Sequence, residues 1–199
     1  ARDGYEADKT RLMTADFADG KISNIRDLTT DFKYNAAGPI WTADSKSIYF
    51  NALAEGLQGI FRVNADGSIT RITKDNAWYD YDSPFAIVQN GEETQLLASW
   101  CSMDFPTELV KVAVADGKSE QITHENEHIL SQLAEHKTEA RMVKTVDGKD
   151  MLTWVLYPPQ FDSTKTYPGI VICLGGPQGT LSQSWSYRWN YRLMSAQGY

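Results

Sequence analysis

The triplet Ala-Asp-Gly recurs at residues 18–20, 65–67 and 115–117, which sets its glycines 47 and 50 residues apart. Each copy ends or follows a short run of alternating apolar residues: RLMTADF, GIFRVNA and ELVKVAVA. Each is then followed by a polar stretch closing on an apolar residue plus threonine, at Leu28-Thr29, Ile72-Thr73 and Ile122-Thr123. Asp-Gly between two alternating runs is hairpin chemistry, because the turn needs positive φ and glycine provides it without a Cβ clash. Further strand pairs lie between the triplets. GPIW leads through TADSK to SIYF, and SPFAIV leads through QNGE to QLLAS. Two hairpins in every about 40–50 residues make four strands per unit, the sequence form of a β-propeller blade. A β-sandwich with coincidental spacing is the plain alternative, and three matched triplets favour the propeller. At least about four blades are needed to close a ring. Residues 1–133 are therefore expected to be the C-terminal part of a propeller, its last two to three blades.

After residue 134 the pattern changes. Residues 140–146, the Asp147-Gly148 turn and residues 151–157 predict one more hairpin, closed by Pro158-Pro159. Beyond the polar FDSTK and Tyr167-Pro168 comes GIVICL at 169–174. This run is apolar without alternation, which predicts a strand covered on both faces in an α/β sheet. Gly175-Gly176-Pro177 stops it, and residues 189–197 predict a helix with Gly198 as its C-terminal stop. Such a sheet needs several more strands than residues 134–199 supply. The second unit is expected to be the truncated N-terminal part of a larger α/β domain, and the chain an internal fragment.

The balance of residues narrows the partners. Of 199 residues, 42% are hydrophobic and 23% charged, as in a folded soluble protein. The net charge of −7 argues against nucleic acid or an anionic membrane surface, both of which select basic proteins. No apolar run approaches the about 20 residues that span a bilayer. The first ten residues, ARDGYEADKT, do not read as a secretion signal. Cys101 and Cys173 lie in apolar strand-like runs and are expected to be reduced, buried and inert.

The order hairpin, linker, YP, apolar strand, Gly-Gly-Pro resembles the prolyl oligopeptidase family of serine peptidases. TWVLYPPQFD at 153–162, YPGIVICLGGPQG at 167–179 and SQSWSYRWN at 182–190 look closest to its bacterial dipeptidyl peptidase V (acylaminoacyl-peptidase-like) type, and ITHENEHILSQL at 122–133 also fits. The resemblance implies a propeller followed by an α/β-hydrolase domain, with a Ser-Asp-His triad removing dipeptides or acyl-amino acids from the N-terminus of oligopeptides. It implies no cofactor and a periplasmic or secreted location. Acyl transfer on this fold uses a Ser in a G-x-S-x-G elbow, followed by Asp and His. No G-x-S-x-G occurs in these 199 residues, so the chain by itself is expected to be inactive. In such hydrolases the loop after the apolar strand gives a backbone N–H to the oxyanion hole. By resemblance Gly176 is the first candidate donor and Gly175 the second. Some relatives carry Tyr or His just before these glycines; Leu174 offers no donor, which leaves the main-chain amides.

Two further readings stand beside this one. A non-catalytic propeller binding module with a vestigial hydrolase portion is the alternative in function. His124-Glu125-Asn126-Glu127-His128 satisfies the zinc-protease pattern H-E-x-x-H. Its position after a strand end, and Ser131 and Ala134 where the extended pattern wants Gly and His, favour a solvated loop or short helix without metal. Trp185, Tyr187, Trp189 and Tyr191 suit either a substrate channel or packing between domains. Glu92-Glu93 reads as a solvated turn pair. Open strand edges and apolar faces left by a fragment favour self-association or binding to the rest of the enzyme.

Overall fold

A computed structural model describes residues 2, 4–5, 7–74, 78–175 and 179–199. Strands β1 (Met13–Ala18) and β2 (Lys21–Asp27) form an antiparallel hairpin. Next, β3 (Ala37–Trp41), β4 (Ser47–Ala54), β5 (Leu57–Asn64) and β6 (Ile69–Arg71) form a four-stranded antiparallel meander in chain order. A second sheet follows, from β7 (Asp80–Tyr81), β8 (Ala86–Asn90), β9 (Glu93–Cys101), β10 (Glu108–Ala113) and β11 (Ser119–Gln121). Here β7 and β8 both pair with β9, at its two ends. They are one edge strand interrupted at Ser83-Pro84, since Asp82 N–H still bonds Ser99 O and Phe85 N–H still bonds Leu97 O. A proline, with no N–H to donate, is tolerated on such an edge. Pro39 occupies the corresponding first strand of the other sheet, where the register shifts between Ala37 and Ile40. The two first strands approach closely there: a Cβ on Gly38, at φ +55°, would fall 1.7 Å from Ser83 Oγ.

The apolar-Thr ending of each repeat has one structural job, repeated three times. Leu28, Ile72 and Ile122 donate their N–H groups to the carbonyls of Leu12, Ile60 and Leu109. The threonine that follows then accepts the N–H of that same partner, at 2.9 Å for Thr29, 3.1 Å for Thr73 and 2.8 Å for Thr123. A hydroxyl thus takes the place of a ladder carbonyl at the point where the chain leaves the sheet, and no buried donor is stranded.

The three Ala-Asp-Gly turns are not identical. Asp19 and Gly20 both have positive φ, 49° and 72°, the two-residue turn matched to strand twist. At Asp66 and Asp116 the carboxylate instead accepts the N–H of the residue two further on, Ser68 and Lys118. Gly117, at φ +77°, is required twice over, because a Cβ would meet Ile72 O at 2.2 Å.

Strand β4 is buried on both faces, which makes the four-stranded sheet the middle layer. Ile48, Phe50, Ala52, Ala54, Phe61 and Val63 pack with Leu12 and Ala36 on one side. Tyr49 and Ile60 pack on the other side with Leu96, Ala98, Trp100, Val110 and Val112 of the second sheet. Strands β12 (Thr138–Lys144) and β13 (Asp150–Leu156) form the expected hairpin. It rests on the β4–β5 turn, since a Cβ on Gly56 would fall 2.2 Å from Leu152 Cδ2.

Three expectations fail in the last third. Residues 169–174 form no strand, and Val171 is 86% exposed with Ile170, Ile172 and Leu174 also exposed. A strand exists only beside a hydrogen-bonding neighbour, and among the described residues none flanks this run. Cys173 is for that reason exposed rather than buried, while Cys101 in β9 is half-buried. The helix predicted over 189–197 shortens to α2 (Tyr191–Ser195), capped by the Asn190 side chain on Leu193 N–H and ended by Gly198 at φ +91°.

Candidate functional site

The expected oxyanion loop begins at Gly175. Gly176 and Pro177 lie outside the described residues. Gly179 lies against Leu174 and Gly175: a Cβ there would stand 2.7 Å from Leu174 Cδ2 and 3.0 Å from Gly175 O, a close approach that glycine permits.

The limb after Gly179 is then held by three consecutive residues on three different elements. Leu181 O accepts the Trp154 indole N–H of β13 at 3.1 Å. Ser182 Oγ donates to Asp80 of β7. Gln183 Oε1 accepts Met103 N–H, in the loop after β9, at 3.4 Å. Asp80 also accepts Gln58 N–H of β5 at 2.9 Å and the Gln183 N–H. Asp80, Ser182 and Gln183 are all buried. Burial pushes the Asp80 carboxyl above the ordinary carboxylate range, against the pull of the Gln58, Ser182 and Gln183 donors. Burial likewise pushes the Cys101 thiol up, although Trp185 N–H bonds it. Further on, Arg192 of α2 donates to Asp104 O at 2.7 Å and to Ala134 O at 3.0 Å.

The aromatic series divides. Trp185 and Tyr187 meet edge to face with centroids 5.7 Å apart, but Tyr187 is 80% exposed and Trp189 is also exposed. Sequence reasoning did not single out Asp80. It sits in NAWYDYD without any motif, and its partner Ser182 is 102 residues away.

The H-E-x-x-H pattern does not lie on one helix. Helix α1 (Glu127–Leu130) starts after His124, so the two histidines do not share a helical face; His124 Nδ1 instead stands 3.3 Å from Glu127 Oε2. Among the described residues no group of three or more His, Cys, Asp or Glu is arranged to hold a metal ion. Glu108 organises this corner, accepting from the Thr123 hydroxyl and from the Asn126 N–H and Nδ2 at 3.1 and 2.9 Å. Burial opposes its ionisation, yet these bonds and one from Glu125 N–H hold its carboxyl below the usual range. A cavity of about 260 Å³ opens beside it, lined by Phe105, Glu108, Gln121, His124, Glu127 and Leu130. No described helix is long and apolar enough to cross a membrane.

No family model matches the chain. Over all 199 residues it is 42% identical to dipeptidyl-peptidase 5 of Porphyromonas gingivalis, covering 28% of that protein. It is 41% identical to dipeptidyl-peptidase 5 of Porphyromonas endodontalis over 154 residues, 77% of this chain and 21% of that protein. Among solved structures, acylaminoacyl peptidase of Pyrococcus horikoshii matches 88% of the chain with a TM-score of 0.64 at 22% identity, over 26% of its own length. Dipeptidyl peptidase 4 of P. gingivalis matches 92% of the chain with a TM-score of 0.55 at 15% identity, again over 26% of its length. The chain therefore spans about a quarter of the length of the relatives it matches. Along its whole length the chain is thus a homologue of a segment of the Porphyromonas gingivalis dipeptidyl-peptidase 5, and its fold is that of the acylaminoacyl peptidase it matches.

Proposed function

We propose that these residues form part of a serine peptidase that releases dipeptides or acyl-amino acids from the N-terminus of oligopeptides. Residues 1–133 are read as the closing two to three blades of a β-propeller: two multi-stranded meanders and the β1–β2 hairpin are the units available. Residues 134–199 are read as the opening portion of an α/β-hydrolase domain. The observation that carries this reading is 42% identity to a dipeptidyl-peptidase 5 across the whole chain. In the proposed reaction a Ser outside these 199 residues attacks the scissile carbonyl, and a His, oriented by an Asp, moves the proton to the leaving amine. The Gly176 N–H, with Gly175 second, donates to the oxyanion that forms. Such a donor acts most strongly on the transition state, where the negative charge is fullest. A periplasmic or secreted location belongs to the same proposal.

The test is covalent. The intact protein and the isolated 199-residue chain are treated with a fluorophosphonate probe and assayed on dipeptidyl and acyl-aminoacyl chromogenic substrates. The intact protein is expected to be labelled and active, and the isolated chain neither. Labelling of the isolated chain, or an inert intact protein, would overturn the reading.

A further inference from the structure

Among the described asparagines, one stands apart. The side chains of Asn24, Asn35, Asn64, Asn126 and Asn190 are each engaged in hydrogen bonds, and Asn51 is only 5% exposed within β4. Asn90 is exposed at the end of β8, and among the described residues its side chain has no hydrogen-bond partner. It is also the one asparagine in the sequence that is followed by glycine.

Gly91 and Glu92 form a two-residue hairpin turn: Asn90 pairs with Glu93 across it, and Gly91 has φ +62°. The Asp-Gly turns of the chain are held differently. There Gly67, Gly117 and Gly148 give their N–H groups to Asn64 O, Ala113 O and Thr145 O. Among the described residues the Gly91 N–H has no such acceptor. A Cβ on Gly91 would meet nothing within 4 Å, so the space around this nitrogen is open. A main-chain nitrogen that holds no hydrogen bond thus follows directly on a carboxamide that holds none. Their reaction closes a five-membered ring, and an intramolecular attack of this kind gains from the nearness of its two groups.

We propose that Asn90 is a site of spontaneous deamidation, with water as the co-reactant. The Gly91 nitrogen gives up its proton and attacks Asn90 Cγ. The N–Cγ bond forms, the Cγ–Nδ2 bond breaks and ammonia leaves. Water then opens the resulting succinimide at one of its two carbonyls. Opening at Cγ breaks the new bond and gives aspartate at position 90. Opening at the main-chain carbonyl breaks the original peptide bond and gives isoaspartate, whose main chain runs through the side-chain methylene. In sum, asparagine and water become a carboxylic acid and ammonia, with no oxidant or reductant. Either product sets a carboxylate directly across the hairpin from Glu93, where like charges are destabilising. Isoaspartate also lengthens the main chain at the last pair of β8 and β9. This chemistry needs no peptidase activity.

The test incubates the intact, folded protein in a mildly alkaline buffer and follows the proteolytic peptide covering β8 and β9 by mass spectrometry. That peptide is expected to gain one mass unit at least about tenfold faster than peptides carrying Asn64 or Asn126, a barrier difference of about 1.4 kcal/mol. Labelling by isoaspartyl methyltransferase is expected to appear with it. N90Q, which would have to close a six-membered ring, is expected to show neither change. No mass gain over the time in which a free QNGE peptide converts would overturn the proposal. So would faster conversion at Asn64 or Asn126, or a gain that persists at the same peptide in N90Q.

Discussion

Two apolar segments of similar length meet opposite fates in this molecule. SIYFNALA at 47–54 is strand β4, lying between β3 and β5 with packed side chains on both faces. GIVICL at 169–174 is as apolar, yet lies open to solvent without strand neighbours among the described residues. The difference is company, not composition. Backbone groups of a strand need a hydrogen-bonding neighbour, and an unalternating apolar run also needs cover on both faces. The repeat region provides these for β4 through its hairpin neighbours β3 and β5 and through the next sheet.

That contrast can be broken most directly by substitution. Phe50 is fully buried between Phe32 and Phe61, at centroid distances of 5.5 and 5.7 Å. Phe50→Ala is expected to cost about 3–5 kcal/mol by urea unfolding. Val171→Ser in the exposed run is expected to move the same measurement by no more than about 0.5 kcal/mol. Comparable losses at the two positions would erase the distinction between the regions.

A smaller effect sharpens the account of the repeat. Thr73 is buried, and its hydroxyl accepts Ile60 N–H. Thr73→Val keeps the shape and strands that donor, at an expected cost of about 1–3 kcal/mol. Restored exchange of the Ile60 amide without loss of stability would show that water can serve in its place.

The smallest effect is in pH, and there the two buried carboxylates pull opposite ways. The folded-state pKa of Asp80 is raised, so between the ordinary carboxylate value and the raised one the folded state holds more protons, and stability falls as pH rises through that window. Glu108 is lowered, so the stability it gives is present above the ordinary Glu value and is lost as pH falls toward its folded value. The groups set around Asp80 include Asp82 and Cys101 as well as its three donors. D80N is expected to flatten the decline on raising pH, and E108Q the decline on acidification, read from urea midpoints between about pH 3 and 7. Shifts of the same sign in both variants would contradict the assignment.

Much of the repeat region was legible because its signals are local. Asp-Gly needs only the next residue to declare a turn, and the alternating run ELVKVAVA, read as a strand, is β10 with Val110 and Val112 buried. The role of Thr29, Thr73 and Thr123 was visible as a recurrence but not as a mechanism, since a hydroxyl bonding a neighbouring strand depends on register. The glycine loop was legible as a stop signal at Gly175. The anchorage of residues 181–183 was not, because Asp80 and Ser182 are joined by folding across 102 residues and neither belongs to a motif. The apolar run at 169–174 misled for the same reason in reverse: its pattern describes a sheet that these described residues do not build around it.

The threonine endings carry one more consequence. By letting a hydroxyl finish the ladder, they allow β6 and β11 to stop after three residues each. A rim so brief gives a stray polypeptide little to grip, because intermolecular strand addition grows with the length of free main chain available. The same small side chain that lets the backbone depart therefore also guards against fibrillar stacking.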